Sequence, residues 1–436
     1  MTDTIQFFTE KFRQLETLQQ PSALSEMRKK AFASFSKMGI PTVKHEEWKY
    51  TRISGAFNKD FIYSLTENKE TLSPSAWKLY QLPGDAHVLV FVNGLFSKTL
   101  SATTAADKSF EILTIAEALQ TGYAGIVETY FGHSADYMKD GIHALNTAFV
   151  NDGVFLKVKD GKAPDKPFYI YYISDARASH TFSQPRVLIH VGKASRVQIA
   201  DHFITLGAND SFTNHVAEIV VEQDAHLEYY KIQHEGEKAN HAGTTHIRQV
   251  GKSYTHAVTI TLDGAIVRNN LNMVMEADHC ESHMYGLYLL KGHTHADNHT
   301  IVDNVNPHCY SNEFYKGIMD EQSSGVFNGK IFVKKDAQKT NAYQSNKNVL
   351  LTDTAAVNTK PQLEIFADDV KCSHGCTVGR LDDEALFYLR ARGISEKNAK
   401  SLLLHAFAVD ILEKINPEPI RNYVDELISK RLEFNF

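Results

Sequence analysis

Cysteine is scarce in this chain: Cys280, Cys309, Cys372 and Cys376 are the only four among 436 residues. They are too few to staple a fold of this size. Such usage points to a reducing compartment, the cytoplasm, with thiols free for chemistry or ligation. A basic excess is absent too. Lys and Arg total 46 against 52 Asp and Glu, a net charge of −6, which excludes the footprint of a general nucleic-acid binder. No apolar run approaches the roughly 20 residues of a membrane span, and Met1-Thr-Asp-Thr-Ile5 lacks the charged-then-apolar design of a secretory leader. Also missing are a GxxxxGK[ST] phosphate loop, a GxGxxG turn after a strand, a GxSxG elbow and an HExxH helix. No self-contained catalytic motif is left to name. With 43% apolar residues the chain can still bury a substantial core.

What is present divides into a helical and mixed region over 1–150, a strand-rich region over 151–376 and a helical region over 377–436. Ile5, Phe8, Phe12 and Leu15 recur at three- and four-residue steps, the mark of one buried helical face. Pro21-Ser22 opens a second helix with Leu24, Met27, Ala31 and Phe35 inward, stopped by Gly39 and Pro41. A buried strand is predicted over Val88–Val92, closed by Asn93-Gly94, and a helix over Asp136–Phe149. At Asn151-Asp152-Gly153 the period changes. From Val154 to about Val370 the chain is strand after short strand, with alternation such as Val187, Ile189, Val191 and no helix of convincing length.

Turn residues in that region are spaced regularly. Asp263, Asp278, Gly292, Asn306, Glu321, Asp336, Asp353 and Asp369 step by roughly 14–17 residues. Sandwiches and barrels turn at about 8–12 residues. The longer step suits a β-solenoid with two or more steps per coil, a continuous interior column and ends that need caps. A large sandwich is the plainer alternative. Helix returns at the end: Asp382, Asp383 and Glu384 suit a first turn, and Arg390, Arg392 and Gly393 a last one. Ser395 caps a second helix with Leu403, Phe407, Ile411 and Ile415 every four residues, and Pro417 starts a third with Ile420, Val424, Leu427 and Ile428 on one side. These helices are expected to cover one end of the solenoid and to leave apolar surface for a partner.

Two constellations could carry chemistry. In Cys372-Ser-His-Gly-Cys376, an extended backbone puts Cys372, His374 and Cys376 on one face. Thiolate and imidazole hold zinc or iron–sulfur species, and three ligands are one short of a closed tetrahedral site. The plainer reading is small buried thiols beside a hydrogen-bonded histidine, with Gly375 bending the strand. The second constellation is His279, Cys280, Glu281, His283, His293, His295, His299, His308 and Cys309, dense enough for a metal surface but equally suited to a solvated strand face. The stretch His45-Glu-Glu-Trp-Lys-Tyr-Thr51 reads as an amphipathic element whose aromatics pack on the domain beneath.

Several separated segments resemble the SufD members of the SufB/SufD family, from the SUF iron–sulfur cluster assembly machinery. They are Gly39-Ile-Pro-Thr-Val-Lys-His-Glu-Glu-Trp-Lys-Tyr-Thr51, Tyr343-Gln-Ser-Asn-Lys-Asn348, Thr359-Lys-Pro-Gln-Leu-Glu-Ile365 and Ala367-Asp-Asp-Val-Lys-Cys-Ser-His-Gly375. The run Thr377-Val-Gly-Arg-Leu-Asp-Asp-Glu-Ala-Leu-Phe-Tyr-Leu-Arg-Ala-Arg-Gly393 continues the likeness. SufB-like chains carry a Thr-Gln-Cys-Asp where Tyr343-Gln-Ser-Asn346 stands and lack Lys371-Cys-Ser-His-Gly375. The resemblance implies a right-handed β-helix core between helical ends. It also implies a non-catalytic scaffold that pairs with a SufB-like paralogue, docks a SufC-like ATPase through its C-terminal helices and receives sulfur indirectly from a cysteine desulfurase. A transient Fe–S cluster is the implied cargo, and a flavin at the level of the complex is left open. Cys372 and His374 match the family positions facing the paralogue, His374 being expected as a direct iron ligand. Cys376 departs from the alanine common there. Two other roles compete: a metal-dependent enzyme on a β-helix using the His279–His308 cluster, and a purely structural partner of SufB. A homodimer in isolation is expected to be possible.

Overall fold

Parallel pairing organises the chain from Val154 onward. In the computed structural model, which describes residues 4–18, 24–66, 72–104, 107–150 and 153–433, strands pair with partners one coil away. Ile266–Met275 runs parallel to His295–Asn304, and that strand to Ser324–Val333. Ile266 sits beside His295 and His295 beside Ser324, so one coil here takes 29 residues, two strands and two corners. Alternate strands fall into an 11-stranded and a 10-stranded sheet that face each other. The result is a β-solenoid of about eight turns with helices at both chain ends. All eight turn residues read from the sequence lie in corners between strands. The sandwich alternative is excluded by this parallel stacking.

Stacking makes interior positions into columns. Ile199, Tyr229, Ala257, Met284, Glu313, Gln344 and His374 follow one another on successive rungs of the 10-stranded sheet. Bulk on one rung is accommodated by its absence on the next: a Cβ at Gly286 would lie 2.2 Å from the ring of Tyr315, its neighbour in register. The interior also holds ionisable groups. Burial pushes Asp201 up to about 7 and Glu235 up to about 8, and pulls Lys231 down to about 8. Tyr229 donates to Asp201 at 2.5 Å, and Lys231 lies 3.2 Å from His241.

The outer faces are covered as well. Helices Thr4–Leu18 and Leu24–Met38 bury Phe8, Phe12 and Phe35 against Phe149, Phe182 and Phe212 on the 11-stranded side. Leu24 is buried as read, Met27 and Ala31 only partly, and Arg28 unexpectedly so, its guanidinium donating to the Val150 carbonyl at 3.0 Å. Gly39, at φ 64°, ends the second helix. Pro21-Ser22 and Asn151-Asp152 lie outside the described residues. The strand His87–Val92 and its Asn93-Gly94 turn are as predicted. The helix predicted over Asp136–Phe149 is instead a 3-10 turn, His133–Asp136, and a helix Gly141–Ala148. Asp140 breaks it by capping the second piece, accepting from the His143 N–H at 2.9 Å, while the Gly39 carbonyl presses where a Cβ at Gly141 would stand.

The C-terminal helices do not cover the end of the solenoid. Glu396–Leu412 and Glu418–Arg431 lie along the outer face of the 10-stranded sheet, because Tyr230, Val258, Ile260, Leu287 and Ile318 turn an apolar surface outward there. The buried stripe is Leu404, Ala408, Ile411 and Leu412, with Leu403 and Phe407 half-buried. Lys316 reaches across to Asp410 at 2.5 Å and the Phe407 carbonyl at 2.7 Å. Helix Asp383–Ala391 buries no residue and leaves Phe387 75% and Tyr388 58% exposed. No described helix is long and apolar enough to cross a membrane.

Gly286→Ala is expected to lower stability by about 1–3 kcal/mol through overpacking against Tyr315. Thermal unfolding of purified variant and parent checks this, and an unchanged melting temperature would contradict the column packing.

Candidate functional site

The solenoid stops abruptly. Strands Ala356–Ile365 and Lys371–Gly379 each pair on one side only, with Ser324–Val333 and Asn341–Leu350 respectively. Among the described residues, their other edges have no neighbouring strand. Pro361, which has no N–H, sits in one of them, as an edge strand tolerates. Burial falls away here: the last strand is exposed at every position but Cys372.

Register places the chemistry on this rung. Cys372 lies beside Ala342, His374 beside Gln344 and Cys376 beside Asn346, all on the face that lines the interior in the coils behind. Gly375 stays in register opposite Ser345, so it does not bend the strand. Cys372 packs against the core margin and is half-buried, which pushes its thiol up, while His374 and Cys376 are exposed. At about 3.3 Å per residue, neighbours two apart are about 6.6 Å apart along the strand and Cys372 and Cys376 about 13 Å. The three therefore do not close on one ion. They offer a two-ligand pair, Cys372–His374 or His374–Cys376, open toward whatever meets the end of the solenoid.

Behind the rung stands a polar interior that the sequence reading passed over. Gln344 donates to buried Glu313 at 2.6 Å, and Asn346 donates to the Tyr288 hydroxyl at 3.1 Å. The signal was present in Gln344, Asn346 and Asn348, polar at every second position of a strand otherwise read only as a family motif.

The dense histidine run scatters. His279 and His308 stack on exposed corners at 4.7 Å, and His293 is exposed in a turn. His283 meets Glu281 at 2.7 Å on the outer side of one sheet. His295 and His299 face outward from the other, where His295 contacts Thr51 at 2.8 Å and His299 lies 3.1 Å from Asp297. Cys280 and Cys309 are buried, both donating to the Ala277 carbonyl at 3.2 and 3.3 Å. Among the described residues, the group whose ligand atoms converge is a different one, His87 with Asp107 and Asp165. Its imidazole is satisfied by Asp165 at 3.1 Å and by the Thr104 N–H at 3.4 Å.

His45–Thr51 packs as read through Trp48 but not through Tyr50, which is exposed. Trp48 is buried, with the Arg268 guanidinium 4.5 Å from its ring centre and paired to Asp297 at 2.6 Å. His299 and Lys330 hold the Glu47 carboxyl down at about 2. Glu46 pairs with Lys360 at 2.6 Å, which ties this segment to the last coil.

Timed alkylation of the native chain is expected to label Cys376 first and Cys372 more slowly, with Cys280 and Cys309 protected until unfolding. Peptide mass analysis reads the order, and native labelling of Cys280 as fast as Cys376 would contradict the placement.

Comparison with known proteins agrees with this architecture. A family model described as SUF system FeS cluster assembly, SufBD core domain, matches residues 172–407, and one for the SufBD protein N-terminal region matches residues 1–170. The chain is 30% identical over 422 residues to an iron-sulfur cluster assembly SufBD family protein of Synechocystis, covering 94% of this chain and 92% of that one. It is 30% identical over 403 residues to the iron-sulfur cluster assembly protein SufD of Escherichia coli, covering 91% and 90%. A chloroplastic protein of Arabidopsis thaliana, ABCI7, is 29% identical over 286 residues, 64% of this chain and 60% of that one. With the solenoid, its open coil and these likenesses together, the chain belongs to the SufBD family of the SUF system for FeS cluster assembly and is a SufD homologue.

Proposed function

We propose that this chain is the non-catalytic scaffold subunit of a cytoplasmic assembly complex, building a transient Fe–S cluster at an interface with a SufB-like paralogue. The observation that carries the reading is the thiol–imidazole pair Cys372–His374 on a coil whose outer edges are unpaired. Backbone hydrogen bonds to those edges would give a partner's strands affinity without chemistry of their own. A two-ligand half-site binds a metal ion weakly by itself and holds a cluster only when the facing subunit supplies the rest. It therefore suits assembly followed by release better than a closed four-ligand site. His374 serves as a direct iron ligand, Cys372 as a second or as support for its geometry, and Cys376 lies within reach of the same cargo.

The remaining partners follow from the family. A SufC-like ATPase docks on the C-terminal helical region, where Phe387 and Tyr388 stand uncovered. Sulfur arrives from a cysteine desulfurase through the paralogue, and any flavin belongs to the complex. The same open edges allow two copies to pair when the paralogue is absent. The scatter of the 279–308 histidines gives no support to a metal-dependent hydrolytic site there.

His374→Ala, expressed with SufB- and SufC-like partners, is expected to leave the complex intact while iron and acid-labile sulfide per complex fall to background under anaerobic assay. A normal cluster yield would overturn the assignment and leave a purely structural role.

A further inference from the structure

The candidate ligand His374 stands at the head of an interior column, and the two residues behind it are not apolar filler. Glu313 is buried, and burial pushes its carboxyl up to about 7. Its neighbour in register is Gln344, whose Nε2 donates to Glu313 Oε2 at 2.6 Å. Across the interior, Gly329 makes room for that amide: a Cβ there would stand 2.2 Å from Gln344 Nε2. The side chain is thus held from below by an acid and from the side by a glycine. Among the described residues, its Oε1 has no hydrogen-bond partner, although Gln344 is only 3% exposed. A buried amide acceptor left unpaired is costly, so its neighbourhood is where a missing donor belongs.

We propose that Gln344, fixed by Glu313 and Gly329, is the positioning residue for His374, accepting the N–H of its imidazole so that the other ring nitrogen faces the cargo. His374 is the next residue on the column, one rung of about 4.8 Å beyond. Its exposed ring makes no hydrogen bond among the described residues, which leaves its ring nitrogens available to the amide behind it. Ligating histidines ordinarily donate their second N–H to an oxygen acceptor, which fixes tautomer and ring orientation. Among the described residues, Gln344 is the residue in register with His374 on the rung behind it. The proposal rests on the reading of His374 as a ligand, and the test separates the two.

The full-length chain, labelled with 15N in its histidine imidazoles, is titrated with Zn2+ alone, and the His374 signals are identified by their loss in His374→Ala. In the parent, Zn2+ is expected to shift one His374 nitrogen and to leave the other as an N–H protected from solvent exchange. Gln344→Met keeps the packing and removes the acceptor. It is expected to raise the half-saturating Zn2+ concentration at His374 about 10-fold and to abolish that protection. Gly329→Ala retains Gln344 but displaces its amide, and is expected to do the same, so the test does not hang on one variant's folding. Equal Zn2+ titration and equal N–H protection in both variants overturn the positioning role while His374 remains a ligand. Zn2+ that leaves the His374 signals unmoved in the parent overturns the ligand reading itself.

Discussion

In a stacked solenoid every coil satisfies its backbone through the next, and the last coil has no next. That constraint shapes everything at the C-terminal end of the solenoid. Strands Ala356–Ile365 and Lys371–Gly379 present rows of unpaired N–H and C=O groups, an arrangement that free-standing proteins usually blunt. The opposite end is blunted. There the strand Phe110–Thr114 runs antiparallel to Val154–Val158, and the hairpin strand Leu95–Phe96 closes against His87–Val92. One end is finished by the chain itself, and the other, among the described residues, is left open.

The flanking helices explain why that end stays free. Both outer faces of the solenoid are apolar enough to need covering, so the terminal helices are drawn to the sides. The N-terminal set seals the 11-stranded sheet through an aromatic cluster, and the buried Arg268 lies between Trp48 and Asp297 like a rivet. The C-terminal set seals the other sheet through Leu404, Ala408, Ile411 and Val424. With its helices spent on the sides, the fold leaves Cys372, His374 and Cys376 at an open mouth. The interior stripe of Glu313, Gln344 and Asn346 leads up to them.

Much of this was legible in the residues. The corner spacing gave away the coil length because each corner needs a turn residue, and the two-residue repeat of an extended strand placed Cys372, His374 and Cys376 on one face. The position of the C-terminal helices was not legible. Whether a helix caps an end or lines a side depends on which strand faces turn outward, and the register that decides it is a long-range property. Buried charge was hidden for a related reason. Strand Ser211–Val221 is buried at all positions, so alternation of polar and apolar residues no longer separates inside from outside. Asp201, Lys231 and Glu313 are charged residues that nothing in the local pattern marks as interior, yet all three are buried in the fold.

The central claim is that the unfinished coil is completed by a sister chain. Hydrogen–deuterium exchange of this protein, alone and in complex with a SufB-like paralogue, tests it most directly. Completion predicts strong new protection of the amides in 356–365 and 371–379, with those in 324–333 unchanged because they are already paired. Amides of the last coil that exchange at the same rate in the complex as in the isolated chain would contradict it.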